Sequence, residues 1–206
     1  MYTPANLRMP NSAQALDFIE QHGFAALVSA DLTATHLPLL LARDEGEQGV
    51  LYGHVAKANP QAEQAAGQTV LAVFSGPHAY ISPTWYAAGP AVPTWNYAAV
   101  HVYGRLELLD SHATLELVQR LTEVYEPGLN ANHALLAPDY VARLNQAIVG
   151  FKLVIERIEG KEKLGQTRTQ ADQQGVYHAL VDSAHLGDQA LAAYMRQRRL
   201  GTGEDA

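Results

Sequence analysis

Residues 69–104 read TVLAVFSGPHAYISPTWYAAGPAVPTWNYAAVHVYG. The segment opens on an apolar run, Val70 to Phe74, and closes on an alternating one, with Val100 and Val102 on one face and His101 and Tyr103 on the other. Both ends read as strands. Between them lies an unusual loop that holds Trp85 and Trp95, the chain's two tryptophans, with Tyr80, Tyr86 and Tyr97 set among prolines. Rings with polar tips, fixed by prolines, form a rigid surface able to bury a flat ligand or a second subunit. The plainer reading is a packed barrel corner whose Tyr and Trp polar groups are satisfied internally.

Upstream, residues 11–22 have helical spacing, with Asn11 or Ser12 as cap and Gly23 at the end. Phe24 to Ser29 and Ala34 to Ala42 read as strands. Pro38 interrupts the second, and a residue without an N–H belongs at an edge or beside a ligand rather than inside a ladder. Asp44 to Gly49 is a polar turn. Val50 to Lys57 is a third strand, with Leu51 and Val55 on one face and Tyr52, His54 and Ala56 on the other. A short helix follows over 60–66.

Downstream, helices are expected over 111–126, with Ser111 as cap, and over 138–149. A strand runs from Phe151 to Ile158, and the segment Gly160 to Gln166 breaks it. Thr169 and Asp172 form a capping pattern that starts a helix over 169–183. A last helix begins at Gly187-Asp188, and the closing GTGEDA reads as a frayed end. Strands early and helices late give a mainly β, α+β fold: an antiparallel barrel with peripheral helices. Residues 1–164 form the barrel domain, with inserted helices at about 111–149. Residues 165–206 form a C-terminal helical appendage.

The composition is 48% hydrophobic and 17% charged, as in a globular protein. No apolar run reaches the ~20 residues that span a bilayer. The absence of cysteine excludes disulfides and thiolate chemistry. These features point to the cytoplasm. A formal net charge of −7 disfavours broad contact with nucleic-acid backbones, so DNA is a partner only through a local basic patch. Lys161, Lys163 and Arg168, or Arg196, Arg198 and Arg199, are the candidates for one. Neither phosphate-cradle glycine motif, no GxSxG and no tightly spaced zinc motif occurs. A phosphorylated ligand would therefore depend on side chains such as Lys57, which leaves the third strand beside Asn59. The segment GKEKLGQTR at 160–168 offers positive charge to a phosphate or to the N1–C2=O edge of a reduced flavin.

The segments MYTP (1–4), THLPLLL (35–41), GHVAKANPQ (53–61), FSGPHAYISPTWY (74–86), VPTWNYAAVHVYG (92–104), IVGF (148–151) and GKEKLGQTR (160–168) together resemble the PaiB-type family, the FMN-binding negative transcriptional regulators. The resemblance implies a split antiparallel β-barrel, a homodimer, and FMN at the subunit interface. It implies that His36, Leu37, Pro38 and Leu39 lie along the flavin ring. His54, Lys57 and Asn59 would serve the phosphate. Trp95, Asn96, Lys163, Gln166 and Arg168 would come from the partner chain. Gly165 and Thr167 stand where the family pattern has Ser and Asn. The functions implied are repression of transcription or, by analogy with pyridoxamine-phosphate oxidases, flavin-dependent oxidoreduction with Tyr80, His101 or Tyr103 facing the substrate. A haem-binding barrel is a third reading.

Overall fold

A computed structural model describes residues 1–204. The helices are α1 (Ser12–Gln21), α2 (Gln61–Ala65), α3 (Ser111–Tyr125), α4 (Pro138–Asn145), α5 (Gln170–Val181) and α6 (Leu186–Arg198). The strands are β1 (Phe24–Val28), β2 (Ala34–Pro38), β3 (Leu40–Ala42), β4 (Val50–Ala56), β5 (Thr69–Ile81), β6 (Thr94–Leu108) and β7 (Ile148–Lys163). They form one sheet in the order β2-β1-β5-β6-β7-β4-β3. The chain groups into two compact units: Met1–Asn11, Ser75–Val100 and Glu159–Ala206 in one, Ser12–Phe74 and His101–Ile158 in the other. Strands β5, β6 and β7 contribute residues to both.

In the second unit, alternating strand residues build the core: Leu27, Leu51, Phe74, Val102, Leu106, Phe151 and Leu153 are buried. Helix α1 adds Phe18 and Ile19, one apolar stripe at helical spacing. Helix α3 adds Thr114, Leu117 and Leu121. Its cap is Asp110 rather than Ser111: the carboxylate accepts from the Ala113 amide at 2.8 Å. Helix α4 stops at Asn145, and Ile148, expected inside it, begins β7.

The expected strand over 34–42 is two strands on opposite edges of the sheet. The ladder ends at Pro38, which sits opposite Phe24 on edge strand β2, where its missing N–H leaves no neighbour short of a partner. Leu39 turns inward instead. Its amide donates to the Gly23 carbonyl at 2.8 Å, and its side chain is buried with Leu37 over Gly53. A Cβ on Gly53 would stand 2.6 Å from the Leu39 side chain, so this glycine gives the core room for the leucine.

In the first unit the long aromatic loop is shorter than expected, because β5 runs on to Ile81 and β6 starts at Thr94. Gly76-Pro77 looks like a turn by composition. The burial alternation wins, with Ala79 and Ile81 buried and His78 and Tyr80 exposed. Strand β7 likewise runs through the expected break to Lys163. Gly160 is there to admit the N-terminal segment. A Cβ would lie 2.5 Å from the Met9 sulfur, while the Met9 amide donates to the Gly160 carbonyl at 3.0 Å. The expected frayed tail is packed where the structure describes it: Gly201, Thr202 and Gly203 are buried. Residues 205–206 of that tail lie outside the described residues.

Candidate functional site

The residues singled out by sequence fall into two groups, one in each unit. In the second unit, His36 is exposed on β2 and stacks on the exposed Phe24, with 6.3 Å between ring centres and a 26° interplanar angle. Leu37 and Leu39 are buried, and Pro38 is half-buried. On β4, His54 lies opposite Gly150, whose amide donates to Thr114 Oγ1 at 3.0 Å. His54 Nδ1 is buried without a hydrogen-bond partner among the described residues. Lys57 is exposed just past β4, fixed through its backbone amide to the Ala147 carbonyl at 2.8 Å, with its ammonium unpaired among the described residues. Asn59 ties two segments together. Its Nδ2 donates to Thr35 Oγ1 at 3.0 Å, and its Oδ1 accepts from the Gln61 amide at 3.0 Å.

Gln61 was not singled out, yet it organises this corner. It is 1% exposed, and its Nε2 donates to the carbonyls of Leu27 and Thr33 at 3.0 and 2.9 Å. It thus pins the β1–β2 turn to α2. Nothing local in the sequence marks this role, because its partners Leu27, Ser29 and Thr33 lie about thirty residues upstream.

Burial lowers the proton affinity of both His54 and His22 below the ordinary value of 6.5. The folded state therefore holds these rings neutral where the unfolded chain would protonate them. Their contribution to stability is complete above 6.5 and is lost as pH falls below it. Thermal melting is expected to drop by a few degrees on acidification from neutral pH to about pH 5, and His54→Gln should flatten that dependence. An unchanged slope in the variant would remove His54 from this account.

In the first unit, β5, β6 and β7 carry a chemically graded set of side chains. His78 and Tyr80 on β5 flank Trp95 on β6, each with 6.2 Å between ring centres, Tyr80 edge-on at 78°. Trp95 and Tyr80 are exposed by 54% and 46%, large areas for rings to leave in water. Asn96, the next residue, faces inward and is buried. On β7, Lys161 and Lys163 share a face. The Lys161 ammonium donates to the Tyr2 carbonyl at 3.1 Å and lies 5.3 Å from the centre of the Tyr97 ring. Lys163 Nζ donates to Thr94 Oγ1 and to the Trp95 carbonyl, both at 2.6 Å. Arg168 lies 4.4 Å over the Tyr86 ring. No carboxylate among the described residues pairs with these three cations. The one acid in the segment, Glu162, points to the other face, where it accepts from Tyr194 and Arg198. The side chain of Gln166 is spent on backbone groups, accepting from the Leu164 amide at 2.8 Å and donating to the Glu162 carbonyl at 2.7 Å and the Asn6 carbonyl at 3.4 Å. Desolvation, then the charges of Lys161 and Arg168, lowers the proton affinity of Lys163.

The aromatic loop is held by α5. Asp172 Oδ1 accepts from the Ala87 amide at 2.9 Å, and Gly175 packs directly under the Trp85 carbonyl. The result is a rigid ring-bearing face that ends in unneutralised positive charge. That chemistry suits a flat anion.

Comparison with known proteins agrees with this chemistry. Residues 1–157 match the family model described as "Putative FMN-binding domain". The chain is 33% identical over 205 residues to "Protease synthase and sporulation protein PAI 2" of Bacillus subtilis, covering 96% of this chain and 98% of that one. It is 30% identical over 208 residues to an uncharacterized protein of Emericella nidulans, covering 81% and 82%. Among solved structures it resembles the flavocytochrome Anf3 of Azotobacter vinelandii, with TM-score 0.56 and 16% identity over 76% of this chain and 69% of that one. It also resembles the FAD- and haem-binding protein of Mycobacterium smegmatis, with TM-score 0.54 and 14% identity over 76% and 73%. At these identities the structural likeness speaks to the fold, a mainly β split barrel with peripheral helices. The sequence match over nearly the full length decides the rest: this chain belongs to the PaiB-type family of FMN-binding split-barrel proteins.

Proposed function

We propose that this protein binds FMN as a homodimer, with the flavin at the subunit interface, and acts as a flavin-dependent regulator of gene expression through a protein partner. The observation that carries the flavin reading is the run of open rings, Tyr80 and Trp95, ending in Lys163 and Arg168 with no carboxylate to neutralise them. A subunit that leaves such a face in water gains by covering it. In this reading the backbone of His36, Leu37, Pro38 and Leu39 lies along the ring, and Lys57 with His54 and Asn59 receives the phosphate. A second copy supplies Trp95 as a stacking wall and Lys163 and Arg168 as positive charge. Asn96 and Gln166 act by shaping that segment. Bound FMN would supply electron-transfer chemistry that the side chains lack. The residues themselves bind, orient and exclude water.

Action through a partner is favoured over direct DNA contact by the net charge of −7. It is also favoured because Arg198, one of the tail cations, is already paired with Glu162 at 2.6 Å. Native mass spectrometry of the purified protein tests cofactor and assembly together. A dimer carrying two FMN is expected, and a monomer that takes up no added FMN would end the proposal. Lys57→Ala should weaken FMN by about tenfold, the loss of one charge-assisted contact. Lys152→Ala, which removes a lysine paired with Glu107 at 3.0 Å, should leave affinity unchanged.

A further inference from the structure

The side-chain amide of Asn59 is held in one orientation. Its Oδ1 accepts from the Gln61 amide at 3.0 Å, and its Nδ2 donates to Thr35 Oγ1 at 3.0 Å. Exchanging oxygen and nitrogen would set an NH2 group against the Gln61 N–H, so the amide cannot turn over without losing that contact. An NH2 group carries two N–H donors, and Thr35 takes one. The other has no partner among the described residues, and Asn59 is only half-buried. One directed donor is therefore left over two residues from the unpaired ammonium of Lys57.

Gln61 secures the other end of this arrangement. Its Nε2 donates to the Leu27 carbonyl at 3.0 Å, to Ser29 Oγ at 3.1 Å and to the Thr33 carbonyl at 2.9 Å. These acceptors belong to β1 and the β1–β2 turn, and Thr35 lies opposite Leu27 in the same ladder. The turn after β4 is anchored through its backbone as well. The amides of Lys57 and Asn59 donate to the carbonyls of Ala147 and Ala56, both at 2.8 Å. Thr35, Asn59 and Gln61 thus clamp edge strand β2, which continues into His36, Leu37 and Pro38, to the segment that carries Lys57. All of these residues belong to one unit.

We propose that Thr35 and Gln61 are positioning residues for the phosphate end of FMN. They fix the Asn59 amide and leave its second N–H to donate to a phosphate oxygen, beside the charge of Lys57. A donor already held in place needs no ordering when the ligand arrives, and a hydrogen bond to an anion is stronger than one between neutral groups. Without the Thr35 hydroxyl the Asn59 amide regains rotation, and the cost of fixing it falls on binding. The proposal rests on the reading in which Lys57 and Asn59 receive the phosphate. It adds two residues that act through Asn59.

The test compares FMN with riboflavin, which has the same ring system and no phosphate, by fluorescence titration of the full-length protein. Thr35→Val keeps the side-chain shape and removes the hydroxyl. It should weaken FMN by about fivefold and leave riboflavin within about twofold. Thr35→Ser restores a hydroxyl and should restore the preference for FMN. Gln61→Met, which keeps the length and loses the donors, should lower the same preference. If it fails to fold, the two Thr35 variants still decide. Equal weakening of FMN and riboflavin in Thr35→Val means a merely structural role and overturns the proposal, as does an unchanged preference. Failure of the phosphate reading looks different: the unaltered protein would bind FMN no better than riboflavin, and the proposal would fall with it.

Discussion

Replacing Gly175 by alanine is expected to destabilise the protein by about 2 kcal/mol, although the same change in an open helix interior stabilises by about 1 kcal/mol. The sign reverses because of one contact. Gly175 lies inside α5, and a Cβ there would stand 2.1 Å from the Trp85 carbonyl oxygen, which is backbone and has no rotamer to yield. Either α5 or the turn Pro83–Trp85 must move outward. That turn is held from below by Asp172 Oδ1 on the Ala87 amide and from the side by Arg168 over Tyr86. Displacing it strains both. Urea denaturation measures the loss, and tryptophan fluorescence should shift with it, since Trp85 sits on the moved segment. Gly187→Ala is the matched control. Its Cβ would meet nothing nearer than 3.8 Å, so stability should hold or rise slightly. If Gly175→Ala melted like the control, the docking of the aromatic loop on α5 would be wrong.

That docking also explains what the sequence could and could not tell. The strands and helices with clean periodicity were legible: α1, β1, β4, α3 and α5 follow alternation or helical spacing, and Thr169 caps α5 as the pattern requires, accepting from the Asp172 amide at 3.2 Å. Failures cluster where a contact distant in sequence overrides a local signal. Gly76-Pro77 and Gly160 are breakers by composition. In the fold Gly76-Pro77 lies within β5, and Gly160 makes room for Met9 within β7. Leu39 sits inside an apolar run that reads as continuous strand, yet a missing N–H at Pro38 and a vacant Cβ at Gly53 send the chain inward. Of the candidate site, the cations were visible in GKEKLGQTR. Their lack of counter-charge was not, because it depends on Glu162 facing α6 rather than its neighbours.

Glu162 is accordingly where the largest single loss is expected. Its carboxylate is 1% exposed and accepts from the Tyr194 hydroxyl and from Arg198 Nε, both at 2.6 Å. The arrangement pushes the Tyr194 hydroxyl well above its ordinary range, first by burial and then by its bond to Glu162. Taking two charges out of water is costly, so the pair as a whole adds little compared with apolar residues of the same size. Breaking it is another matter. Glu162→Ala removes the carboxylate to which both the Arg198 guanidinium and the buried Tyr194 hydroxyl donate and should cost about 3–5 kcal/mol. The double variant Glu162→Met with Arg198→Met should recover most of that loss, because it removes both charges and keeps the volume. Chemical denaturation of the single and double variants decides between this account and one in which Glu162 merely fills space. In the second case Glu162→Met alone would be as stable as the double variant. Loss of the Glu162 charge would also leave Lys161 and Lys163, on the opposite face of β7, and Arg168, in the turn that follows the strand, with less negative charge nearby, so flavin affinity per folded molecule should hold or rise even as stability falls.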